Sequence, residues 1–363
     1  VTDDKNIVAP FNFEEHRHQA ISAYFNVRPF YDNLAEVIGR LIQECLKKRD
    51  IKVHSVQHRA KEPSSFGDKA AVPSEADPNA PKYMEPLKQI TDLARVRIIT
   101  YFPATVEDVD SLIQDEFEVV ERSDKAEELI EDERFGYQSV HFLVRLNAKR
   151  SGLSEYERFA GATTEVQVRT ILQHAWAEIE HDINYKSATA IPVEIRRRFM
   201  ALAGMLEIAD REFQAVQSED RKLADQSISK VRDGDLVGVE ITPDTIKLYL
   251  DKKLGPDDRI SEWSYDWTAR LLKSLGFRDL MQIEVAISGY DDTNLSFIAT
   301  ARRQGQIERF ELMLLAALGE LFIERPPFTG KSWFEDRRRD YLAKFREKGF
   351  KTSTYQVALI RPM

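Results

Sequence analysis

Residues 163–170 read TTEVQVRT, and in an extended chain this alternation separates two kinds of side chain. Glu165, Gln167 and Arg169 fall on one face; Val166, Val168 and Thr170 fall on the other. The valine face belongs to a core. The polar face lines either solvent, as on an edge strand, or a site. The segment 171–186 then carries His174, Glu178 and Asp182 at i, i+4 and i+8, with His181 close to the same side. Trp176, Ile179 and Ile183 form a second, apolar side. An ion-pair network with Arg169 and Lys186 accounts for these charges as readily as a site does. The spacing is not the HExxH of a zinc protease.

Three further groups could do chemistry. Asp92 stands just ahead of an apolar run, RVRIITYF. A carboxylate there and Glu165 on a second strand would suit a phosphate-bound Mg²⁺, which takes hard oxygen ligands. Asp92 could equally cap a turn. In FGYQSVH (135–141), Gly136 permits a tight turn, and Tyr137 presents a ring that could stack a base or pack in a core. Ser139 and His141 share its face if the stretch is extended. Arg59, Lys61 and Lys69, with Ser64 and Ser65 between them, could hold a triphosphate and stack an adenine, or form a solvated basic loop. No GxxxxGK[ST] or GxGxxG sequence is present, so a nucleotide would be bound by neither of those routes.

The elements that must position these groups follow from periodicity. Residues 11–50 show helical spacing, with Asn26–Pro29 expected to separate two helices. Residues 51–58 read as a strand, and 73–86, with four prolines, as an irregular loop. Strands are expected at 95–102, 117–121, within 135–146 and at 163–170. Helices are expected at 105–116, 171–186 and 192–217. The charged, glycine-poor stretch 218–235 reads as a connection. Beyond it, 237–251 reads as short strands around a turn at Pro243–Asp244, followed by helices near 261–275, 305–323 and 331–347. The expectation is two domains, 1–225 and 226–363, the second smaller, α+β and mostly helical.

Composition narrows the class. The chain of 363 residues is 42% hydrophobic and 31% charged, an ordinary globular balance. A net charge of −9 argues against general affinity for nucleic acid, though not against a local basic groove. The single cysteine, Cys45, cannot form an internal disulfide and reads as a small buried apolar residue. With no apolar run of membrane-spanning length and no secretory leader, a cytoplasmic protein is expected.

Taken together, residues 50–190 resemble the synthetase domain of the RelA/SpoT family, in its small single-synthetase branch. The resemblance rests on Arg59-Ala-Lys61 with Ser65 and Lys69, then DLARVRI (92–98), GYQSVH (136–141), EVQVRTILQHAWAEIEH (165–181) and Tyr185-Lys186, in the family's order. It implies a nucleotidyltransferase-like mixed sheet flanked by helices. It also implies transfer of the β,γ-pyrophosphate of ATP to the 3′-hydroxyl of GDP or GTP, giving guanosine tetra- or pentaphosphate, with Mg²⁺ as cofactor. By matched position, Arg59, Lys61, Ser65, Lys69 and Arg97 would hold ATP, and Asp92 would bind the metal. Tyr137 would stack on the guanine, and Ser139 and His141 would lie at the acceptor. Glu165 would act as general base or second metal ligand, supported by Gln167, Arg169 and His174. Small relatives also suggest homo-oligomerisation.

The sequence departs from the family pattern in three places. Arg95 stands where the family usually has glycine, and an added cation there could reach ATP or face solvent. The approach to Gly136, EDERF, is acidic, and GYQS replaces GYRS, removing a cation near the acceptor. These changes bear on the acceptor rather than on the ATP half. A toxin-like relative that pyrophosphorylates an adenine nucleotide or the 3′ end of tRNA, restrained or triggered by residues 226–363, is therefore a second reading. An inactive nucleotide-binding regulatory protein is a third.

Overall fold

A computed structural model describes residues 11–124, 139–186, 192–257, 259–325 and 330–357. The chain divides into two compact units, Val1–Gln217 and Ser218–Met363.

The first unit begins with helix α1, Phe13–Lys48. Asn12 caps it by accepting from the Glu15 backbone N–H, with Glu14 and Glu15 in the first turn and Lys47 and Lys48 in the last. The expected break at Asn26–Pro29 is absent: one helix runs through Pro29. Proline removes a backbone donor and disfavours a helix interior. Here burial of Tyr24 before it and of Leu34, Ile38 and Ile42 after it holds both halves on one axis.

A five-stranded mixed sheet follows, in the order β1-β2-β5-β4-β3. Its strands are β1 (Ser55–Ala60), β2 (Ala94–Thr100), β3 (Phe117–Asp124), β4 (Val140–Leu146) and β5 (Thr164–Thr170). Only β2 and β5 pair in parallel among the described strands. Helix α2 (Pro63–Ala70) and the short α3 (Pro86–Gln89) lie between β1 and β2, α4 (Pro103–Glu116) between β2 and β3, and the short α5 (Ala148–Ser151) between β4 and β5. The expected loop at 73–86 is irregular apart from a single Pro73–Pro81 bridge. The first strand begins at Ser55 rather than at residue 51.

The sheet has two unlike faces. Val96, Ile98, Phe142, Val144, Val166 and Val168 pack with α1 and α4 into one apolar cluster. The intervening residues of β2, β4 and β5 carry the charges. Strand β5 then passes directly into helix α6 (Ile171–Lys186). The Thr170 backbone N–H donates to Gln173 Oε1 at 2.7 Å, and the Gln173 N–H donates to Thr170 Oγ1 at 3.1 Å. This reciprocal cap starts a helix with no intervening loop. Thr170 Oγ1 also donates to Asp210 Oδ2 at 2.6 Å.

Asp210 lies on α7, Val193–Asp233. The charged stretch 218–235, expected as a connection, is helical to Asp233. Its Arg, Lys and Leu residues favour a helix, and no glycine or proline interrupts it until Gly234, whose φ of +84° ends it.

The described residues of the second unit fold into helices after α7: α8 (Pro243–Leu254), α9 (Glu262–Leu275), α10 (Leu280–Ile287), α11 (Asp292–Thr300), α12 (Gln306–Leu318), α13 (Glu320–Glu324) and α14 (Ser332–Glu347). The short strands expected around Pro243–Asp244 are instead the start of α8. Thr242 and Thr245 form a reciprocal cap with Pro243 at the first helical position, a start signal that outweighs the alternation before it. Helix α12 is buried on all sides, as a central helix must be, and Phe310, Leu314 and Leu315 are fully enclosed.

Candidate active site

The polar face of the first unit's sheet gathers side chains from four strands. Register alone does much of this. Arg59 on β1 lies opposite Arg95 on β2; Arg95 is paired with Glu165 on β5, and Arg97 with Gln167. His141 on β4 lies opposite Gln167. Side chains at paired positions share a face, so the alternation of β5 is shared by the whole polar surface.

Asp92 precedes β2 and is buried, 8% exposed. It accepts from three cations: Lys61 Nζ at 2.7 Å, Lys69 Nζ at 3.1 Å and Arg95 Nη2 at 3.1 Å. Burial alone would raise its carboxyl, but the hydrogen bond and charge of Lys61, then those of Lys69, hold it below the ordinary value. Lys61 is fixed from both sides. Its backbone N–H donates to Leu93 O at 2.9 Å, and Tyr24 Oη donates to its carbonyl at 2.9 Å. Arg59, Lys61, Ser65, Asp92 and Arg95, with Glu62, line a cavity of about 230 Å³.

Glu165 lies beside this cluster. Arg95 Nε donates to its Oε2 at 2.7 Å, and His141 Nδ1 lies 3.1 Å from its Oε1. Burial opposes ionisation, yet the His141 hydrogen bond and the Arg95 charge hold the Glu165 carboxyl well below the usual range. A carboxylate only accepts, so His141 Nδ1 carries a proton toward Glu165, and Nε2 shares a 2.8 Å hydrogen bond with Ser139 Oγ. Held this low, Glu165 is a weak proton acceptor in the ligand-free arrangement and well suited to bind a cation.

The third cluster is cationic and enclosed. Arg169 Nη2 donates to Gln167 Oε1 at 2.6 Å, and both side chains are buried. Burial, then the neighbouring charge of Arg97, pushes Arg169 down to about 10. Burial also lowers Arg97, partly offset by Glu178, whose Oε1 accepts from Arg97 Nη1 at 2.9 Å. His174 Nδ1 lies 3.6 Å from the same carboxylate oxygen. Burial and the Arg97 and Arg169 charges lower His174, which leaves it neutral at neutral pH. Arg97 Nε, Arg169 Nε and His174 Nδ1 are buried with no hydrogen-bond partner. A buried donor left unpaired costs about 1–3 kcal/mol, so an anionic ligand that accepts from the two arginines is favoured.

The structure thus brings together Arg59, Lys61, Ser65, Lys69, Asp92, Arg97, Ser139, His141, Glu165, Gln167, Arg169 and His174 on one side of the sheet. Tyr137 and the acidic approach to it lie outside the described residues. Two residues left out of the expected site belong to it. Glu178 was visible four residues after His174. Arg95 was visible only as a departure, and its bridging role needed the β2–β5 register.

Residues 58–190 match the model of a region found in RelA / SpoT proteins. These residues are a RelA/SpoT region. Within it lie both carboxylates and all the cationic site residues named above. The chain is similar to two GTP pyrophosphokinases of Bacillus subtilis (strain 168). It is 25% identical to YjbM over 135 residues, 37% of this chain and 60% of that protein, and 26% identical to YwaC over 133 residues, 36% and 60%. The chain therefore spans 60% of the length of the curated relatives it matches. Among solved structures it is similar to the small alarmone synthetase 1 from Bacillus subtilis, with TM-score 0.44 and 22% identity, covering 55% of this chain and 97% of that one. The same synthetase bound to its product pppGpp gives TM-score 0.42 and 23% identity, covering 52% and 93%.

The RelA/SpoT region supplies hard oxygen donors for a divalent cation in Asp92 and Glu165. Both Asp92 oxygens and both Glu165 oxygens face a cation or an imidazole. Among the described residues no group of three or more His, Cys, Asp or Glu could hold a metal ion. The donor chemistry fits Mg²⁺, provided that a ligand's phosphates supply the rest of the shell. No described helix is long and apolar enough to cross a membrane.

Proposed function

We propose that the chain transfers the β,γ-pyrophosphate of ATP to the 3′-hydroxyl of GDP or GTP, making guanosine tetra- or pentaphosphate. The observation that carries this reading is the enclosed cationic face around Asp92 and Glu165 in a chain whose net charge is −9. Concentrating Arg59, Lys61, Lys69, Arg95, Arg97 and Arg169 on one face of an acidic protein suits a polyanionic substrate. Phosphoryl transfer depends on positioning and charge neutralisation more than on covalent help.

In this reading Arg59, Lys61, Ser65, Lys69 and Arg97 hold ATP. Lys61 and Lys69 turn from Asp92 to the phosphates, and the unpaired Arg97 Nε meets a ligand acceptor. Asp92 and Glu165 would hold the Mg²⁺ that arrives with ATP, which would neutralise phosphate charge. Ser139, His141, Gln167, Arg169 and His174 face the acceptor, with Tyr137 stacking on its base. Glu165 either takes the hydroxyl proton, once its contact with Arg95 is released, or acts only as a metal ligand. The second unit is a regulatory or interaction module, and a chain ending at Asp233 should differ from the full chain in turnover.

The deciding experiment incubates the full chain with ATP labelled in its γ-phosphate and, separately, GDP, GTP, ADP and tRNA. Chromatography identifies the species that gains label. Label in guanosine tetra- or pentaphosphate supports the reading. Label in the adenine nucleotide or the tRNA instead assigns the same chemistry to another acceptor, as the Gln138 and EDERF departures suggest. No label in any of them rejects pyrophosphate transfer.

A further inference from the structure

Arg95 touches both carboxylates of the site. Its Nε donates to Glu165 Oε2 at 2.7 Å and its Nη2 to Asp92 Oδ2 at 3.1 Å. One planar guanidinium thus spans two carboxylates that come from a loop and from a neighbouring strand. Its backbone is pinned by pairing with Arg59 on one side and Glu165 on the other, so the side chain has a short, defined reach. The remaining carboxylate oxygens are also engaged, Asp92 Oδ1 by Lys69 and Glu165 Oε1 by His141. A divalent cation entering the ligand-free protein would have to displace a Lys or Arg cation, or the His141 imidazole, from every oxygen that it approached. Repulsion from Lys61, Lys69 and Arg95 would add to that cost.

A nucleotide changes the balance. Its phosphates offer Lys61 and Lys69 alternative anionic partners, and it brings metal already bound to phosphate oxygens. We propose that Arg95 is an internal counter-cation that occupies the place of a divalent ion between Asp92 and Glu165, so that this chain binds metal only together with nucleotide. Arg95 is then a positioning residue: it holds the two carboxylates at a fixed separation in the empty protein and gives up its contacts when the metal–nucleotide complex enters. The inference rests on the pyrophosphate-transfer reading for its nucleotide.

The test uses Mn²⁺ as the probe and the electron paramagnetic resonance signal of the free ion as the readout. The full-length protein is measured alone and with a non-hydrolysable ATP analogue. The unaltered protein should take up no Mn²⁺ at the site alone and should bind it when the analogue is present. Arg95→Ala should bind Mn²⁺ without nucleotide, roughly tenfold or more tightly than the detection limit that the unaltered protein fails to reach, the scale on which groups around metal ligands tune affinity. Adding Asp92→Ala to that variant should abolish the gain. Arg95→Lys, which keeps a charge but reaches one carboxylate at a time, should fall between the two.

Nucleotide-free Mn²⁺ binding by the unaltered protein that disappears in Asp92→Ala would overturn the proposal, whether or not the Arg95 variants fold. So would an unchanged affinity in folded Arg95→Ala. Calorimetry with the analogue separates the two readings. If the analogue does not bind, pyrophosphate transfer fails; if it binds and Arg95→Ala leaves nucleotide-free metal affinity unchanged, only the role of Arg95 fails.

Discussion

Arg97 on β2 and Glu178 on α6 are joined by a 2.9 Å hydrogen bond that ties the helix after β5 back to the polar face of the sheet. The contact turns one edge of the guanidinium toward the helix and leaves Nε buried without a partner. Replacing Arg97 by Ala should therefore weaken ATP binding more than it weakens the fold. A charge-assisted hydrogen bond contributes about 1.5–3 kcal/mol, which corresponds to a dissociation constant raised roughly 10- to 100-fold. Isothermal titration calorimetry checks this. Glu178→Gln, which keeps an acceptor, should change affinity much less.

Glu165→Gln keeps the shape of the side chain and removes its charge. Product formation should fall by about 10²- to 10⁴-fold, the range expected when a group acting on a proton in the transition state is lost. Asp92→Ala should abolish product and also destabilise the fold, because it leaves Lys61, Lys69 and Arg95 facing one another without their shared counter-charge. Breaking a buried pair costs about 3–5 kcal/mol, and the partial exposure of Lys69 places this case at the lower end. Quenched-flow assays and chemical denaturation separate the two effects. Full turnover in the Glu165 variant would remove that residue from the proposed chemistry.

The site also sets a pH dependence of stability. Asp92, Glu165 and His174 all have lower proton affinity in the folded chain than in the unfolded one. The unfolded chain therefore takes up protons first as pH falls, and stability declines with it. For His174 the loss begins below its ordinary value of 6.5. For Glu165 and Asp92 the stabilisation is fully present above 4.5 and 3.8 and is lost as pH falls from there through the folded-state values. Thermal melts at a series of pH values should show a shallow decline followed by a steeper one. His174→Gln should remove part of the first and Glu165→Gln part of the second.

The polar face was legible in the sequence because one period serves both purposes. The alternation of Glu165, Gln167 and Arg169 with Val166 and Val168 states which face is core, and the structure repeats that division in β2 and β4. Helix α6 was legible at its start, since Thr170 and Gln173 are a cap written three residues apart. Long-range pairing was not legible. Nothing local says that Arg95 lies beside Glu165, or that Arg97 reaches Glu178, because both depend on strand register and on the helix folding back. The continuous α1 was missed because a proline reads as a break unless the burial on both sides of it is known. In the second unit, a reciprocal threonine cap was overlooked in favour of a short alternation.

Gly319 gives a test confined to the second unit. It lies between α12 and α13 with φ of +61°, where side chains of L-residues are strained. A Cβ there would fall onto the Ser353 hydroxyl, far inside contact distance. Gly319→Ala should destabilise this unit by about 1–3 kcal/mol, the range for a non-glycine residue held in such a conformation, with a further penalty from the clash. Ser353 itself has φ of +59°, so adding Ser353→Gly should recover part of the loss. Calorimetric unfolding of the single and double variants reads both effects.

Cys45 sits buried on α1, against the apolar side of the first unit's sheet, and is the only cysteine of the chain. Burial, then the nearby Glu116 carboxylate, raises its thiol above the ordinary value, so the folded protein keeps it unreactive. An alkylating reagent should reach it faster when the packing around α1 opens, and its labelling rate then becomes a clock for that opening. Because the second unit has no thiol, the clock hears the first unit alone in the intact chain. Each natural protein molecule therefore carries a built-in reporter of how tightly the layer behind the site is closed, and a ligand that stiffens the sheet would be registered as lost time rather than as a new contact.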